Sequence, residues 1–275
     1  MIRFFTAAFG ENYARYAQAL ATSFKAFSPA STLHIFSDHP EKISHPNVEK
    51  LTIDELLESL DHFHRSNDGQ LRNAFKFAHF KLMRDRYPED DICWIDADML
   101  VFDNMENHFK LGHINVISHG RRPGQIIECG DGLGVLGEVY AIGGMYSLPP
   151  GKAEDYLLET SRKRHTWTDV SPLVQLSGDQ IILNHLVARS GMPVNWITDN
   201  KNYIYNLEIA DALHPVVGDK TLSEIQFDGK KFFRGERQVA IFYWIKNRLD
   251  AHLKDKFKTF HPSVREKLKE FYNVA

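Results

Sequence analysis

The stretch that decides the fold is ICWIDADMLVFDN, residues 92 to 104. It begins as an apolar run of the kind that forms a buried strand, and Asp96 and Asp98 follow where that run ends. In an extended strand, residues two apart point to the same side, so we expect both carboxylates to face one hard cation, Mn²⁺ or Mg²⁺. The alternative is that the two acids only cap a strand and solvate a turn. Apolar sequence on both sides favours the metal site, because buried acids cost free energy unless a positive charge compensates them.

Strands and helices alternate on either side of this stretch. Apolar residues recurring at three- and four-residue spacing predict helices over residues 11–27, 71–87, 153–164 and 179–188. Short β-prone runs predict strands at 2–5, 33–36, 48–53, 92–95, 114–118, 139–145 and 194–197. This alternation indicates an α/β fold with a mostly parallel central sheet flanked by helices, in which ligands bind beyond the carboxyl ends of the strands.

The domain organisation predicted from the sequence is simple. No linker rich in Pro, Gly or Ser divides the chain, so we expect one domain over residues 1–245 and a helical C-terminal extension over 246–275, packed on or near it. The extension is rich in Lys with interspersed Leu and Phe. Contact with a membrane surface through an amphipathic helix is the less favoured interpretation, because acidic residues dilute its positive charge.

Net charge, cysteine count and the lack of long apolar segments exclude several classes of protein. The 275 residues carry a formal net charge of −3, which does not favour nucleic acid as a partner. The two cysteines, Cys93 and Cys129, are too few for a disulfide framework or a zinc cluster. The N-terminus lacks the pattern of a signal peptide, and no apolar stretch is long enough to cross a bilayer. We therefore expect a cytoplasmic protein, at most peripheral at the inner face of the membrane.

The segment around Asp96 and Asp98 resembles the Asp-X-Asp motif of GT-A fold glycosyltransferases. It is most similar to the retaining, glycogenin- and galactosyltransferase-like group, glycosyltransferase family 8. The likeness covers roughly residues 1 to 205 in order and spacing: an N-terminal strand entering Thr6, a helix carrying Tyr13, a basic helix, the acidic strand, YAIGGMYSLP (140–149) and SGDQIILNHL (177–186). The resemblance implies a GT-A (Rossmann-like) fold.

The resemblance also implies an activity: transfer of a hexose from a nucleotide-sugar donor, a UDP-sugar, to an acceptor that the sequence does not name. The acceptor is a saccharide, a lipid-linked sugar or a protein, and surface glycan synthesis is the expected setting. Asp96 and Asp98 correspond to the ligands of Mn²⁺ (or Mg²⁺), and Asp179 and Gln180 to the catalytic pair facing donor sugar and acceptor. The residues that the resemblance places at the donor are Thr6, Ala7, Tyr13, Lys76, His79, Asp96, Ala97, Gly143, Gly144 and Lys246.

Several of these assignments have a plainer alternative. Tyr13 lies on the apolar stripe of its helix, so core packing and base stacking stay equally open. Lys76 and His79 also fit a solvated cationic face, and the Gly143–Gly144 pair also fits a bulge without a ligand. Asp179, or Ser177 before it, also suits a helix N-cap.

The likeness weakens towards the C-terminus. The group often supplies a third metal ligand from a late histidine, and the corresponding stretch VAIFYWIKNR (239–248) has none, although Lys246 there suits contact with a diphosphate. His261 is a distant substitute, better explained as a surface turn residue.

Two other functions compete with the glycosyltransferase interpretation. A sugar nucleotidyltransferase usually has a Gly-rich basic loop, which TAAFGENYAR (6–15) lacks. A catalytically degenerate sugar- or nucleotide-binding protein, or a scaffold, is opposed by the intact acidic pair.

Overall fold

A computed structural model describes residues 1–58, 71–121, 126–128, 134–136, 139–164, 178–205, 207–208, 222–243 and 260–272. The chain forms two compact units. The first unit comprises Met1–Ala7, Leu51–Ile95 and Phe109–Ile197, and the second comprises Ala8–Lys50, Asp96–His108 and Thr198–Ala275. Each unit is therefore built from segments that are distant in sequence.

The described strands are β1 (Ile2–Ala8), β2 (Thr32–Ser37), β3 (Val48–Lys50), β4 (Asp91–Ile95), β5 (Met99–Val101), β6 (Ile114–Arg121), β7 (Ile126–Glu128), β8 (Gly134–Leu136), β9 (Val139–Leu148), β10 (Val194–Ile197), β11 (Tyr203–Ile204), β12 (Leu207–Glu208), β13 (Ile225–Phe227), β14 (Phe232–Arg234), β15 (Arg237–Val239) and β16 (Ile241–Tyr243). The described α-helices are α1 (Glu11–Phe27), α2 (Ile53–Glu58), α3 (Leu71–Arg86), α4 (Ala153–Arg164), α5 (Gly178–Arg189) and α6 (Pro262–Tyr272). Short 3₁₀ helices form at Pro40–Lys42 and Met105–His108.

The first unit is organised around a sheet whose strands lie in the order β10-β6-β9-β4-β1. Strands β1 and β4 pair in parallel, as do β6 and β10, whereas β9 runs antiparallel to both of its neighbours. Val116 of β6 pairs with Tyr146 of β9, but Ser118 pairs with Ala141. Between these two pairs, one residue of β6 thus opposes four residues of β9, and the resulting bulge contains the two glycines of the AIGGMY segment.

A layer of helices covers this sheet. Helices α3, α4 and α5 pack against one another, α3 packs on β4 and α5 packs on β9. The ring of Phe80 from α3 stacks on Tyr146 with centroids 5.0 Å apart and meets Phe5 edge to face at 4.9 Å. Such aromatic pairs contribute about 0.5–1.5 kcal/mol each beyond their buried area. They hold the basic helix α3 firmly against the strands that carry the candidate site.

The second unit has its own hydrophobic core. Helix α1 packs on β5 and α6, β2 and β3 form a parallel pair, and β11-β15-β14-β13 form a small sheet. Val264, Leu268 and Phe271 of α6 are buried in this core. The apolar face of the C-terminal helix is thus used in packing. The predicted boundary between residues 245 and 246 lies outside the described residues and stays a prediction.

The predicted α/β fold with a mostly parallel sheet flanked by helices is confirmed, with β9 as the strand that opposes its neighbours. Helices α1 and α4 have the predicted bounds. The short strands β5 and β11 to β16 were not predicted, because two or three residues are too few to show a period. No helix among the described residues is long and apolar enough to cross a membrane.

Candidate functional site

The two acids of the opening stretch lie in a tight turn between β4 and β5. The turn is closed by the Met99 amide, which donates to the Asp96 carbonyl oxygen at 3.0 Å. Asp96 is half-buried, whereas Asp98 is only 3% exposed. The predicted position, at the end of a buried strand with apolar sequence on both sides, is confirmed. The strand-alternation argument for their common orientation was wrong, because neither residue is in extended strand.

The donor set of this turn suits a hard divalent cation. Two carboxylates separated by the buried Ala97 offer oxygen ligands, and Mg²⁺ or Mn²⁺ usually takes one or two carboxylates and fills the rest with water and phosphate oxygens. Among the described residues, no group of three or more His, Cys, Asp or Glu is arranged to hold a metal. His261 lies just before α6, where its Nδ1 pairs with the Ser263 hydroxyl at 2.8 Å. Lys246 lies outside the described residues, and a third protein ligand is unassigned.

Asp98 has aromatic neighbours in the second unit that the sequence did not predict. Burial raises the pKa of the Tyr272 phenol well above its usual value, and the nearby Tyr16 and the negative charge of Asp98 add to that rise. The Tyr272 phenol therefore stays protonated. Tyr16 of α1 and Tyr272 of α6 thus lie in the surroundings of the acidic turn.

A second cluster forms in the first unit around Lys76 of α3. Its ammonium lies 2.6 Å from Asp179 Oδ2, donates to the Gly143 carbonyl oxygen at 3.0 Å, and lies 5.3 Å from the centroid of the Trp94 ring. The Lys76 and Asp179 side chains are 16% and 17% exposed. The alternative that Lys76 belongs to a solvated cationic face is therefore wrong. It forms a largely buried ion pair that joins α3 to α5.

The Asp179 carboxylate is held in its ionised form. Burial raises its pKa, but the charge and the hydrogen bond of Lys76 lower it further, so that the pKa lies below the usual range. Asp179 occupies the first turn of α5 rather than the position before it, so Asp179 is not the N-cap. Ser177 lies outside the described residues, and its role as the N-cap stays a prediction. A negative charge at this end of a helix is also favoured by the helix dipole.

Gly143 lets the start of α5 approach β9 closely. A Cβ atom at this position would lie 3.1 Å from Asp179 Oδ2 and 3.2 Å from Gln180 Cγ, tighter than ordinary van der Waals contact. The Gly143 amide donates to Gln180 Oε1 at 3.1 Å and thereby orients the amide side chain. The glycine pair lies in a bulge, as expected. At Gly143 the bulge contacts Asp179 and Gln180, the two residues that the resemblance assigns to catalysis. Gly144 is buried beside it.

Asn184 also shapes this cluster and was missed. Its amide accepts from the Ala141 N–H at 2.9 Å, donates to the Ala141 carbonyl at 3.0 Å, and donates to the Gln180 carbonyl at 2.7 Å. Asn184 is 4% exposed. One side chain thus satisfies both backbone groups of Ala141, which borders the bulge, and links them to the first turn of α5. The signal was the four-residue spacing from Gln180, which places both on one face of a helix.

The other donor candidates differ in their accessibility. Thr6 is fully buried, and among the described residues its hydroxyl finds no hydrogen-bond partner, whereas Ala7 is half-buried. Tyr13 is also half-buried, with its ring 6.1 Å from that of Tyr16, so both of its interpretations stay open. His79 is fully buried, with its ring 6.1 Å from Trp94. A solvated face is excluded for His79 too, and its role at a donor stays a prediction.

Solved structures show which class of fold this is. An active-site variant of the LgtC galactosyltransferase, with a glutamine replaced by glutamate, matches with a TM-score of 0.57 and 15% identity over 99% of this chain and 95% of that one. LgtC in complex with donor and acceptor sugar analogs matches with a TM-score of 0.54 and 14% identity over the same shares. The chain therefore has the fold of GT-A glycosyltransferases. The sequence matches no protein-family model and no curated protein sequence.

Proposed function

We propose that this protein is a metal-dependent glycosyltransferase that moves a hexose from a UDP-sugar to an acceptor in surface glycan synthesis. The observation that carries the proposal is the acidic turn Asp96–Asp98 directly after the buried strand β4 of a GT-A fold. Mn²⁺ or Mg²⁺ held by these carboxylates would neutralise the charge of the diphosphate leaving group. The acceptor is a saccharide, a lipid-linked sugar or a protein.

The cluster around Lys76 supports the assignment of Asp179 and Gln180 to the sugar. Transfer from a nucleotide-sugar breaks the bond between the anomeric carbon and the diphosphate oxygen, and positive charge develops on the sugar ring. An ionised carboxylate stabilises such charge, and the lowered pKa keeps Asp179 ionised at neutral pH. Because it carries no proton, Asp179 does not serve as a general acid. The Gln180 amide, oriented by the Gly143 N–H, suits a positioning contact with a sugar hydroxyl.

Retention of the anomeric configuration is part of the proposal and follows from the family resemblance. In a retaining front-face displacement, the acceptor attacks from the side of the departing diphosphate. Such a reaction needs orienting groups and a fixed negative charge rather than a strong protein nucleophile. A buried carboxylate ion-paired to Lys76 at 2.6 Å fits this requirement.

The experiment is release of UDP from a panel of UDP-sugars, with and without candidate acceptors, in Mn²⁺ or in EDTA. We expect release from one sugar in Mn²⁺ only, reduced by about 10²-fold or more in Asp98→Asn and in Asp179→Asn. Asp85→Asn is the matched control, because that carboxylate lies exposed on α3. Release of pyrophosphate instead would indicate a nucleotidyltransferase, and release of neither would leave a sugar- or nucleotide-binding scaffold.

A further inference from the structure

The second unit contains a polar groove that the proposed function does not use. It has a volume of about 610 Å³. Sites for small ligands commonly measure roughly 300–1,000 Å³, so the groove is large enough for one. The described residues that line it are polar or glycine: Ser223, Glu224, Gln226, Arg234, Gly235 and Arg237. Such a lining suits a ligand rich in charged groups and hydroxyls rather than an apolar one.

Two arginines lie side by side in this groove. Strands β14 and β15 form a tight hairpin, and Arg234 pairs directly with Arg237 across it. Gly235 in the intervening turn has φ 61°, a conformation that glycine adopts readily. Like charges directly opposite each other destabilise a β-ladder. Residues that pair directly across an antiparallel ladder lie on the same side of it, so the hairpin brings both arginines to one side of the small sheet.

The carboxylates nearby compensate the pair only in part. Glu224 accepts from Arg234 Nε at 3.0 Å, whereas the ion pair from Arg237 to Asp199 is 3.9 Å long, beyond hydrogen-bond distance. The Arg234 and Arg237 side chains are 33% and 40% exposed. The residues that line the groove thus carry two positive charges and one negative charge, and Arg237 can reach a ligand in solvent.

We propose that this groove binds a negatively charged saccharide. The phosphate or carboxylate of the ligand pairs with Arg237 and Arg234, since the planar guanidinium fork matches both oxyanions. The Ser223 hydroxyl hydrogen-bonds a hydroxyl of the sugar. Binding here requires neither a metal nor turnover, so the site stands independently of the transferase proposal.

The test measures binding of glucose 6-phosphate and glucuronate to the full chain by calorimetry and ligand-observed NMR, with glucose as the neutral reference. We expect at least one anionic sugar to bind about tenfold more tightly than glucose, as a charge-assisted hydrogen bond implies. Preference for one of the two identifies the oxyanion as phosphate or carboxylate. Added salt weakens this binding because both arginines are partly exposed.

Two variants that each lose one positive charge decide whether the anionic sugar binds in the groove. Arg237→Gln is expected to weaken the anionic sugar about tenfold, whereas Lys230→Gln, an exposed lysine in the β13–β14 turn, leaves it unchanged. Asp98→Asn, which strongly reduces the proposed turnover, also leaves this binding unchanged. The proposal is overturned if neither anionic sugar binds better than glucose, or if the Arg237 and Lys230 variants weaken binding equally. Circular dichroism of each variant checks the fold.

Discussion

Replacing Lys76 with methionine tests the ion pair at the start of α5. The change keeps most of the side-chain volume but removes the ammonium that lies 2.6 Å from Asp179 Oδ2. At that distance the Coulomb attraction is on the order of 6 kcal/mol with an effective dielectric constant near 20, before desolvation is subtracted. Breaking a fully buried pair costs about 3–5 kcal/mol, and some solvent screening reduces this to about 2–4 kcal/mol here. We expect that loss in the free energy of unfolding at pH 7.

The pH dependence of this loss follows from the pKa of Asp179. In the wild type the folded pKa lies below its ordinary value of 3.8, so the pair stabilises the fold above that pH and the stabilisation fades as the pH falls further. In Lys76→Met, burial is the main remaining influence on Asp179, and burial raises the pKa of that carboxyl. The folded variant then binds a proton more readily than its unfolded chain and loses stability as the pH rises. The difference between the two proteins should therefore be largest near neutral pH and shrink towards pH 3.8.

Urea denaturation followed by tryptophan fluorescence measures these free energies at several pH values. Lys81→Met is the matched control on the same helix, because its pair with Asp85 is 42% and 60% exposed and should contribute no more than about 0.5 kcal/mol. The double variant Lys76→Met/Asp179→Asn should recover about 1–3 kcal/mol of the loss, since it leaves no buried charge unpaired. Equal effects of the Lys76 and Lys81 changes, or a loss independent of pH, would refute this account of the pair.

Two further substitutions probe the support of the Lys76 cluster, and a third probes the buried ion pair between α3 and α4. Gly143→Ala places a Cβ 3.1 Å from a carboxylate oxygen of α5 and should destabilise by about 1–3 kcal/mol in urea; unchanged stability would show that α5 is not held close. Asn184→Ala removes both hydrogen-bond partners of the Ala141 backbone, so the free energy of unfolding should fall by about 2–4 kcal/mol and amide hydrogen exchange in β9 should become faster. An exchange rate equal to that of the wild type would contradict the role of Asn184 in holding β9. Arg84→Met leaves the buried Glu154 carboxylate without its 2.9 Å partner, so thermal unfolding should show a loss of about 3–5 kcal/mol that diminishes at acid pH, where Glu154 is protonated; a loss that does not vary with pH contradicts this.

The sequence predicted the elements that have long apolar patterns. Helices α1 and α4 have the expected bounds, because their periodicity extends over the whole helix. The four-residue strand β10 also has the expected bounds. The turn at Asp96–Asp98 was placed correctly along the chain but taken as extended. A three-residue stretch has no period, and only the hydrogen bond from Met99 to Asp96 shows that the chain turns there.

The sequence likewise predicted some features of the candidate site and not others. Residue types and order indicated Lys76, Gly143, Asp179 and Gln180, but not their contacts, because a salt bridge between residues 76 and 179 is decided by packing rather than by local pattern. Asn184 was missed because its bonds go to the backbone of β9, which has no residue-specific signature.

The transferase proposal is tested most directly by calorimetric titration of UDP into the full chain, in Mn²⁺ and in EDTA. The account predicts binding that requires Mn²⁺, is lost in Asp98→Asn, and persists in the control Asp85→Asn. Binding that is unaffected by EDTA and by Asp98→Asn would contradict the assigned metal ligands. No binding of UDP or any other nucleoside diphosphate in Mn²⁺ would contradict the glycosyltransferase function itself.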